Sequence, residues 1–148
     1  MRTTSIKILI LEDSETDAEL IMHLLKKEGC TCLFKVVMTQ ESYINALDEF
    51  EPEVILSDNS LPQFSALEAL QILQQRKLVI PFILVTGTVS EEFAANIIKQ
   101  GADDYLLKDR LARLPGAIEA SLKQKQAEKE KDEAAVRLQQ SEEKYRSI

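Results

Sequence analysis

The stretch VILSDNSLP, residues 54–62, decides the fold of this chain and points to its site. It opens with an apolar run, Val54 to Ser57, that is typical of a short buried strand. Asp58 follows this strand directly, and a Leu-Pro pair just beyond it indicates a turn. Partial burial makes the charge of a carboxylate costly, so Asp58 at this position requires a chemical reason.

Other apolar runs of the sequence alternate with helical patterns. Ser14, followed three residues later by Asp17, predicts a capping box at the start of the first helix, and Gly29 ends that helix. The last helix is expected to begin near Leu111. Strands that alternate with helices predict an α/β fold with a parallel sheet covered on both faces. The predicted strands are residues 6–11, 33–38, 54–57, 82–86 and 105–107.

Bulk composition is that of one soluble globular domain with an extension. The chain has 148 residues, of which 45% are hydrophobic and 29% charged. Its net charge of −7 argues against binding of DNA or RNA by this segment. No apolar run approaches the roughly 20 residues of a membrane helix, and the short apolar run near the N-terminus is no secretory signal. We therefore expect a cytoplasmic location and no membrane contact.

Both cysteines lie close together, at Cys30 and Cys32. In an extended chain, residues two apart lie roughly 6.6 Å from each other on one face, which is a poor geometry for a disulfide. No further cysteine pair or histidine cluster completes a zinc site. The sequence therefore predicts two ordinary thiols, buried or at the edge of the sheet.

The composition changes near Leu122, after which the chain is rich in Ala, Glu, Gln and Lys and lacks Gly and Pro. This segment predicts one long helix. Small residues recur along it every seven positions, which is a thin seam for a coiled coil. A solvated single helix and a helix that pairs in a dimer both remain open. The seam residues are Ala120, Ala127, Ala134 and Ser141.

Polar side chains follow the predicted strands at the edge where parallel strands end. Glu12 and Asp13 follow the first strand, Asp58 the third and Lys108 the fifth, while Thr86 closes the fourth. In open parallel sheets this edge is where ligands bind. Three adjacent carboxylates repel each other more than one lysine can offset, whereas Mg²⁺ is a suitable counter-charge. A carboxylate in such a site can attack a phosphoryl group to give an acyl phosphate.

Four stretches, ILILEDSETD, VILSDNSLP, ILVTGT and GADDYLLKD, closely resemble the receiver domain of two-component response regulators. The resemblance covers roughly residues 5–122. It implies a three-layer, doubly wound, flavodoxin-like α/β fold with five parallel strands in the order 2-1-3-4-5. An extended C-terminal helix would follow this domain.

The resemblance implies a role for each residue of the strand-end cluster. Asp58 would be the phosphoacceptor. Glu12 and Asp13 would bind Mg²⁺ or Mn²⁺ together with Asp58 and the backbone carbonyl of Ser60. Lys108 would contact the phosphoryl group.

The resemblance also implies a switch. Thr86 would be its hydroxyl group, and Tyr105 the aromatic residue that turns inward on activation, although plain strand packing is the alternative for Tyr105. Ser60 and Thr88 would flank the phosphoryl group and tune its hydrolysis. The conformational change would pass through the fourth helix, the fifth strand and the C-terminal helix.

Two positions depart from the family pattern. The family usually has Pro after the lysine, joined by a cis peptide bond, whereas here Asp109 follows Lys108. A cis bond is much costlier without Pro, so the geometry of this loop is open. Ala66 stands where the family favours Gly, and it would be strained if the turn there needed a positive φ.

The sequence thus predicts a phosphorylation-dependent signalling switch whose donor is a histidine kinase or a phosphotransfer protein. No enzymatic activity is expected beyond self-catalysed phosphorylation and dephosphorylation. Residues 1–122 would be the receiver and residues 123–148 a helical linker that can pair in a homodimer. The final SEEKYRSI resembles the start of a PAS sensor domain, which predicts a further output domain in the same chain.

Three rival functions are weaker. A phosphohydrolase with an aspartyl nucleophile resembles a D-x-D pattern, whereas Asp58 precedes Asn59 and Ser60. A receiver-like scaffold that binds partners without phosphorylation would not need the full set of strand-end residues. A dinucleotide-binding domain needs a Gly-rich turn after the first strand, and the sequence has none there.

Overall fold

The computed structural model of the chain describes residues 5–87 and 91–146, with the backbone alone for Ser60, Glu91 and residues 142–146. Within these residues, five strands of one sheet alternate with five helices. A short β-hairpin, Ser60–Leu61 with Phe64–Ser65, lies between β3 and α3, and a 3-10 segment, Lys108–Arg113, joins β5 to α5. The main elements are β1 Ile6–Leu11, α1 Glu15–Lys27, β2 Cys32–Val37, α2 Gln40–Glu49, β3 Val54–Ser57, α3 Ala66–Gln75, β4 Phe82–Thr86, α4 Glu91–Lys99, β5 Asp104–Leu107 and α5 Leu114–Arg146.

The sheet is parallel throughout, with the strand order β2-β1-β3-β4-β5. This order confirms the predicted doubly wound, flavodoxin-like α/β fold. The chain reverses direction across the sheet between β1 and β3, and such a switch point is where open α/β sheets form a crevice at their carboxyl edge.

Alternate residues of each strand feed two separate cores on the two faces of the sheet. On one face, Leu9 and Leu11 of β1 pack with residues of α2, α3 and α4. On the other face, Ile8 and Ile10 pack with residues of α1 and α5. A sheet buried on both faces explains why these strands read as continuous apolar runs rather than alternating ones.

Side-chain caps set the starts of three helices. The Ser14 hydroxyl caps α1 by accepting from the Asp17 N–H at 3.3 Å, as predicted. The reciprocal half of the predicted capping box is wrong, because the Ser14 N–H donates to Glu12 Oε1 at 3.0 Å and not to Asp17. Complete capping boxes begin α2 at Thr39 and α3 at Ser65. The sequence Ser90-Glu91-Glu92 predicts the start of α4, and Ser90 lies outside the described residues.

The prediction of two free thiols is wrong, because Cys30 and Cys32 form a disulfide. Cys30 precedes β2, which begins only at Cys32, so the pair does not lie within one fully extended strand. The two Cα atoms are therefore 5.7 Å apart, within the range that a disulfide spans. The cysteines pack at the margin of the core under α1 and α5.

Both departures from the family pattern are accommodated by the backbone. The described residues contain no cis peptide bond, so Lys108 and Asp109 are joined in trans. Ala66 begins α3, and the positive φ in this region falls on Gln63, at 60°, in the hairpin turn. Ala66 itself therefore carries no left-handed strain.

The C-terminal helix α5 has a packed part and a projecting part. Leu114, Ala117 and Ile118 are buried against the sheet, whereas beyond Lys125 the described side chains are exposed. The helix begins at Leu114 rather than near Leu111, because the 3-10 segment precedes it. Within the described residues, no helix is both long and apolar enough to cross a membrane.

Candidate functional site

Strand register brings the predicted site residues to one edge of the sheet. Leu11 of β1 pairs with Ser57 of β3, so the residues that follow the two strands emerge side by side. Thr86 of β4 pairs with Leu107 of β5, so Lys108 emerges beside the end of β4. The site therefore lies at the carboxyl edge, at the switch point between β1 and β3.

Three carboxylates converge at this edge. One ligand atom each from Glu12, Asp13 and Asp58 lies within 4.8 Å of the other two. Glu12 is 3% exposed and Asp58 is 6% exposed, whereas Asp13 faces solvent. The sequence prediction that these three residues meet is confirmed by this geometry.

Backbone hydrogen bonds hold the two buried carboxylates in place. Asp58 donates its N–H to Leu11 O at 2.9 Å, which extends the pairing of β1 and β3 by one residue. Its Oδ1 accepts from the Asn59 N–H at 2.7 Å. Glu12 Oε1 accepts from the Ser14 N–H at 3.0 Å. Each carboxylate thus keeps one oxygen on the backbone and has its other oxygen toward the centre of the site.

Lys108 supplies the positive charge among these oxygens. Its Nζ lies 2.7 Å from Glu12 Oε2, 2.6 Å from Asp17 Oδ2 and 3.3 Å from Asp58 Oδ2. An ammonium group has three protons, so it can serve three acceptors at once. The contact with Asp58 is the longest of the three.

Burial and neighbouring charges perturb the site. Burial is the largest influence on Glu12 and raises its pKa, and the nearby Asp58 carboxylate adds to the rise, while the hydrogen bonds from Lys108 and Ser14 oppose it. Burial lowers the pKa of Lys108, but the hydrogen bonds to Asp17 and Glu12 outweigh burial, so the net shift is upward. The site therefore favours the charged form of Lys108 and disfavours the charged form of Glu12.

A hard divalent cation fits this donor set. Carboxylate oxygens are the ligands that Mg²⁺ takes in proteins, and it usually keeps water in its remaining positions. The buried Glu12 and Asp58 offer oxygens from one side, and the exposed Asp13 offers one from the solvent side. One lysine shared among several carboxylates leaves a net negative charge that such a cation would neutralise.

The remaining predicted residues lie around this cluster. Thr86 is buried at the end of β4. Tyr105 on β5 is 38% exposed, so its ring is directed away from the core. Ser60 opens the short hairpin two residues after Asp58, and Thr88 lies outside the described residues.

Asp17 belongs to the site, although sequence reasoning assigned it to a helix cap. It lies in the first turn of α1 and forms the shortest of the Lys108 contacts. Its spacing from Ser14 matches a capping box, and this interpretation left out a contact with Lys108. The only signal in the sequence was its place one helical turn after Asp13.

Comparison with known proteins identifies the family. Residues 8–119 match the sequence profile of the response regulator receiver domain. The chain therefore belongs to the response regulator receiver domain family, the receiver class of two-component signal transduction. Receiver domains bind Mg²⁺ at an acidic pocket, and Glu12, Asp13 and Asp58 form such a cluster here.

The chain is similar to several curated response regulators. It is 31% identical over 106 residues to the phosphate regulon transcriptional regulatory protein PhoB of Klebsiella pneumoniae, covering 69% of this chain and 44% of that protein. It is 27% identical over 124 residues to the DNA-binding transcriptional regulator NtrC of Proteus hauseri, covering 80% of this chain and 26% of that protein. The chain thus spans less than half the length of either relative.

Solved structures agree with the fold. The signal receiver domain of a protein described as a Luxo repressor, from Vibrio parahaemolyticus, has a TM-score of 0.76 at 28% identity, covering 85% of this chain and 96% of that one. A CheY-like receiver domain protein from Methanospirillum hungatei has a TM-score of 0.71 at 23% identity, covering 84% of this chain and 99% of that one. The second likeness concerns the fold alone.

Proposed function

We propose that this chain is a phosphorylation-controlled switch in which Asp58 accepts a phosphoryl group. One observation carries the proposal: a buried carboxylate at the carboxyl edge of the sheet has two further carboxylates and an ammonium group as its neighbours. A carboxylate with a purely structural role would form one ion pair and lie apart from other charged groups. Asp58 instead keeps one oxygen on the Asn59 N–H and directs the other into the charged cluster.

The donor we propose is a phosphohistidine on a histidine kinase or a phosphotransfer protein. An Asp58 carboxylate oxygen forms a bond to phosphorus while the N–P bond of the phosphohistidine breaks. The electron pair of that bond stays on the imidazole nitrogen, and the ring is left neutral after it takes up one proton. The product is an acyl phosphate on Asp58 that water can later hydrolyse.

The other residues of the cluster would manage charge during the transfer. Glu12, Asp13 and Asp58, with the backbone carbonyl of Ser60, would hold Mg²⁺, or Mn²⁺ in its place. The bound ion would supply positive charge to the oxygens of the transferring group. Lys108 would move its ammonium group from the carboxylates to one of those oxygens.

A switch explains the site better than turnover or scaffolding does. A phosphohydrolase with an aspartyl nucleophile resembles a D-x-D pattern, which is absent here because Asn59 and Ser60 follow Asp58. A pure scaffold would have no use for three adjacent carboxylates with one lysine among them. We therefore propose that the chain has no enzymatic activity beyond its own phosphorylation and dephosphorylation.

Two side chains would respond to the new charge on Asp58. We propose that the buried Thr86 hydroxyl turns toward the phosphoryl group and that the half-exposed Tyr105 ring moves inward behind it. Tyr105 and Ile98 of α4 are exposed on neighbouring elements, so this movement would alter the surface made by α4 and β5. A change worth a few kilocalories per mole shifts such an equilibrium strongly.

The helix α5 would carry the change out of the receiver. Lys125 Nζ lies 3.3 Å from Asp103 Oδ1, and Asp103 Oδ2 accepts from the N–H of Phe82, the first residue of β4. This contact ties the helix to the same strand whose other end holds Thr86. We propose that residues 123–148 are a linker to a PAS-like or other output domain and pair in a homodimer.

The first experiment is incubation with acetyl phosphate and Mg²⁺, with intact-mass analysis and measurement of released phosphate. We expect the wild type to gain one phosphoryl group, about 80 Da, only when Mg²⁺ is present. Asp58→Asn should gain none. Asp132→Asn, which removes an exposed carboxylate of the projecting α5, should behave as the wild type.

Each outcome bears on the proposal. An adduct that survives in Asp58→Asn contradicts the assignment of the phosphoacceptor. Phosphate release that depends on Asp58, without an adduct, indicates a short-lived aspartyl phosphate and supports it. Neither adduct nor release in the wild type favours the scaffold function. Sedimentation velocity of the chain with and without residues 123–148 tests the proposed dimer, since loss of the segment should yield monomers.

A further inference from the structure

Lys108 has a partner that the sequence prediction of the site does not include. Its shortest contact, at 2.6 Å, is with Asp17 Oδ2 in the first turn of α1. Asp17 comes from a helix, whereas the other two partners, Glu12 and Asp58, follow strands. Asp17 thus attracts the lysine toward the solvent-exposed rim of the site, while Glu12 and Asp58 attract it toward the buried centre.

The local structure leaves the Asp17 carboxylate available for this contact. A capping box would have bonded it to the Ser14 N–H, but that N–H donates to Glu12 Oε1 at 3.0 Å. The start of a helix also favours a negative charge, so Asp17 is stabilised there as an ion. Its side chain is 34% exposed, compared with 7% for Asp58, which places it at the solvent side of the cluster.

We propose that Asp17 is a positioning residue that holds the Lys108 ammonium toward the rim of the site and away from Asp58. The inference rests on the proposed Mg²⁺ site. A cation that sat squarely between Glu12 and Asp58 would compete with a metal ion for their oxygens. The observed distances fit a lysine drawn away from Asp58, because its Nζ lies 2.6 Å from Asp17 Oδ2 and 2.7 Å from Glu12 Oε2 but 3.3 Å from Asp58 Oδ2.

Removal of the Asp17 charge should weaken the binding of Mg²⁺. In Asp17→Asn the lysine loses its charged partner at the rim, so its ammonium group moves closer to Asp58. Mg²⁺ then meets both a competing cation and one negative charge fewer. A unit charge a few ångströms away changes the binding of a divalent ion on the order of tenfold, even at a water-like dielectric constant. We expect Mg²⁺ to bind about tenfold more weakly.

The experiment measures Mg²⁺ binding to the unphosphorylated protein by isothermal titration calorimetry. Glu19→Gln is the matched control, because it removes one exposed carboxylate from the same helix, two residues further on. Its effect on Mg²⁺ affinity should be less than twofold. Asp17→Glu restores the charge and has the reach to contact Lys108, so it should recover most of the wild-type affinity. If Asp17→Asn does not fold, Asp17→Ser replaces it, since Ser suits the start of a helix.

A second readout separates positioning from simple structural support. In phosphorylation by acetyl phosphate, Asp17→Asn should raise the Mg²⁺ concentration for half-maximal rate about tenfold. The maximal rate at saturating Mg²⁺ should change by less than threefold, because the metal then displaces the lysine. A variant that merely loosened α1 would lower the maximal rate and leave the Mg²⁺ dependence unchanged.

The results distinguish this inference from the proposed function. If the wild type itself binds no Mg²⁺, the proposed function fails. If the wild type binds Mg²⁺ and Asp17→Asn binds it as tightly as Glu19→Gln does, the positioning role of Asp17 is overturned while the phosphoacceptor assignment stands. Tighter binding by Asp17→Asn overturns the role as well.

Discussion

Replacing Glu12 by Gln should make the metal-free protein more stable, although it removes an ion pair. The Glu12 side chain is almost fully buried, and burial raises its pKa more than Lys108 and the Ser14 N–H lower it. A raised pKa for an acid means that the fold disfavours the charged form. Gln has the same shape and can still accept from the Ser14 N–H, but carries no charge.

The size of the effect can be worked out from the distances around Glu12. At an effective dielectric constant of about 20, Lys108 Nζ at 2.7 Å attracts the carboxylate by about 6 kcal/mol. A carboxylate within 4.8 Å repels it by at least about 3.5 kcal/mol, and both Asp58 and the less effective, exposed Asp13 lie within that distance. These interactions nearly cancel, so the cost of burying the charge remains. We expect Glu12→Gln to raise the free energy of unfolding by about 1–2 kcal/mol at neutral pH.

The stability gained by Glu12→Gln should depend on pH. The folded-state pKa of Glu12 lies above the unfolded value of about 4.5, so the fold binds this proton more tightly than the unfolded chain does. As the pH falls through the folded pKa toward the unfolded value, the wild type regains the stability that the charge had cost. The advantage of Glu12→Gln should therefore be largest near pH 8 and shrink as the medium becomes acid.

The assay is urea unfolding followed by far-UV circular dichroism, in EDTA, across this pH range. Glu19→Gln on the exposed side of α1 serves as the control and should match the wild type. Added Mg²⁺ should reduce the advantage of Glu12→Gln, because the wild type binds the ion more tightly than a variant that lacks one ligand. A Glu12→Gln protein that is less stable than the wild type in EDTA at neutral pH would refute the reasoning, as would an advantage that does not change with pH.

Three further predictions concern the rest of the fold. Lys125→Ala should cost about 1 kcal/mol of stability at neutral pH, because it leaves the buried Asp103 without its ion pair. Burial raises the pKa of Asp103, so this cost should diminish toward acid pH, and a pH-independent cost in urea unfolding would contradict the assignment. Tyr43→Phe should lower the free energy of unfolding by about 1 kcal/mol in the same assay, since the buried hydroxyl donates to a backbone carbonyl at 2.8 Å. An unchanged free energy of unfolding would show that this hydrogen bond does not stabilise the fold. Iodoacetamide should label Cys30 and Cys32 of the unfolded protein only after reduction, and labelling without a reductant would argue against the disulfide.

The strands were the most predictable part of the fold. The strands predicted at residues 6–11, 54–57 and 82–86 match the observed β1, β3 and β4 residue for residue, because a parallel strand buried on both faces is apolar throughout. The hairpin after Asp58 was missed, since strands of two residues have no periodicity to read. The start of the last helix was wrong by three residues, because the 3-10 segment has much the same composition as a helix.

The sequence predicted which charged residues meet at the sheet edge, but not all the hydrogen bonds and ion pairs among them. The order of residues along the chain was enough to bring Glu12, Asp58 and Lys108 together, because parallel strands end at one edge. Asp17 was not predicted as a site residue, because a carboxylate three residues after Ser14 also fits a capping box. The sequence alone does not show whether such a carboxylate caps its own helix or contacts a distant residue such as Lys108. Only the structure shows that the Ser14 N–H is taken by Glu12, which frees Asp17 to contact Lys108.

The most direct test of the central claim is to locate the phosphoryl group. The protein would be incubated with acetyl phosphate and Mg²⁺, reduced with borohydride, which converts an aspartyl phosphate to homoserine, and digested for peptide sequencing by mass spectrometry. We expect homoserine at position 58, where Asp58 was, and at no other carboxylate. Reduction at Asp13 or Asp17 instead, or none in a protein that binds Mg²⁺ and releases no phosphate from acetyl phosphate, would contradict the assignment of Asp58.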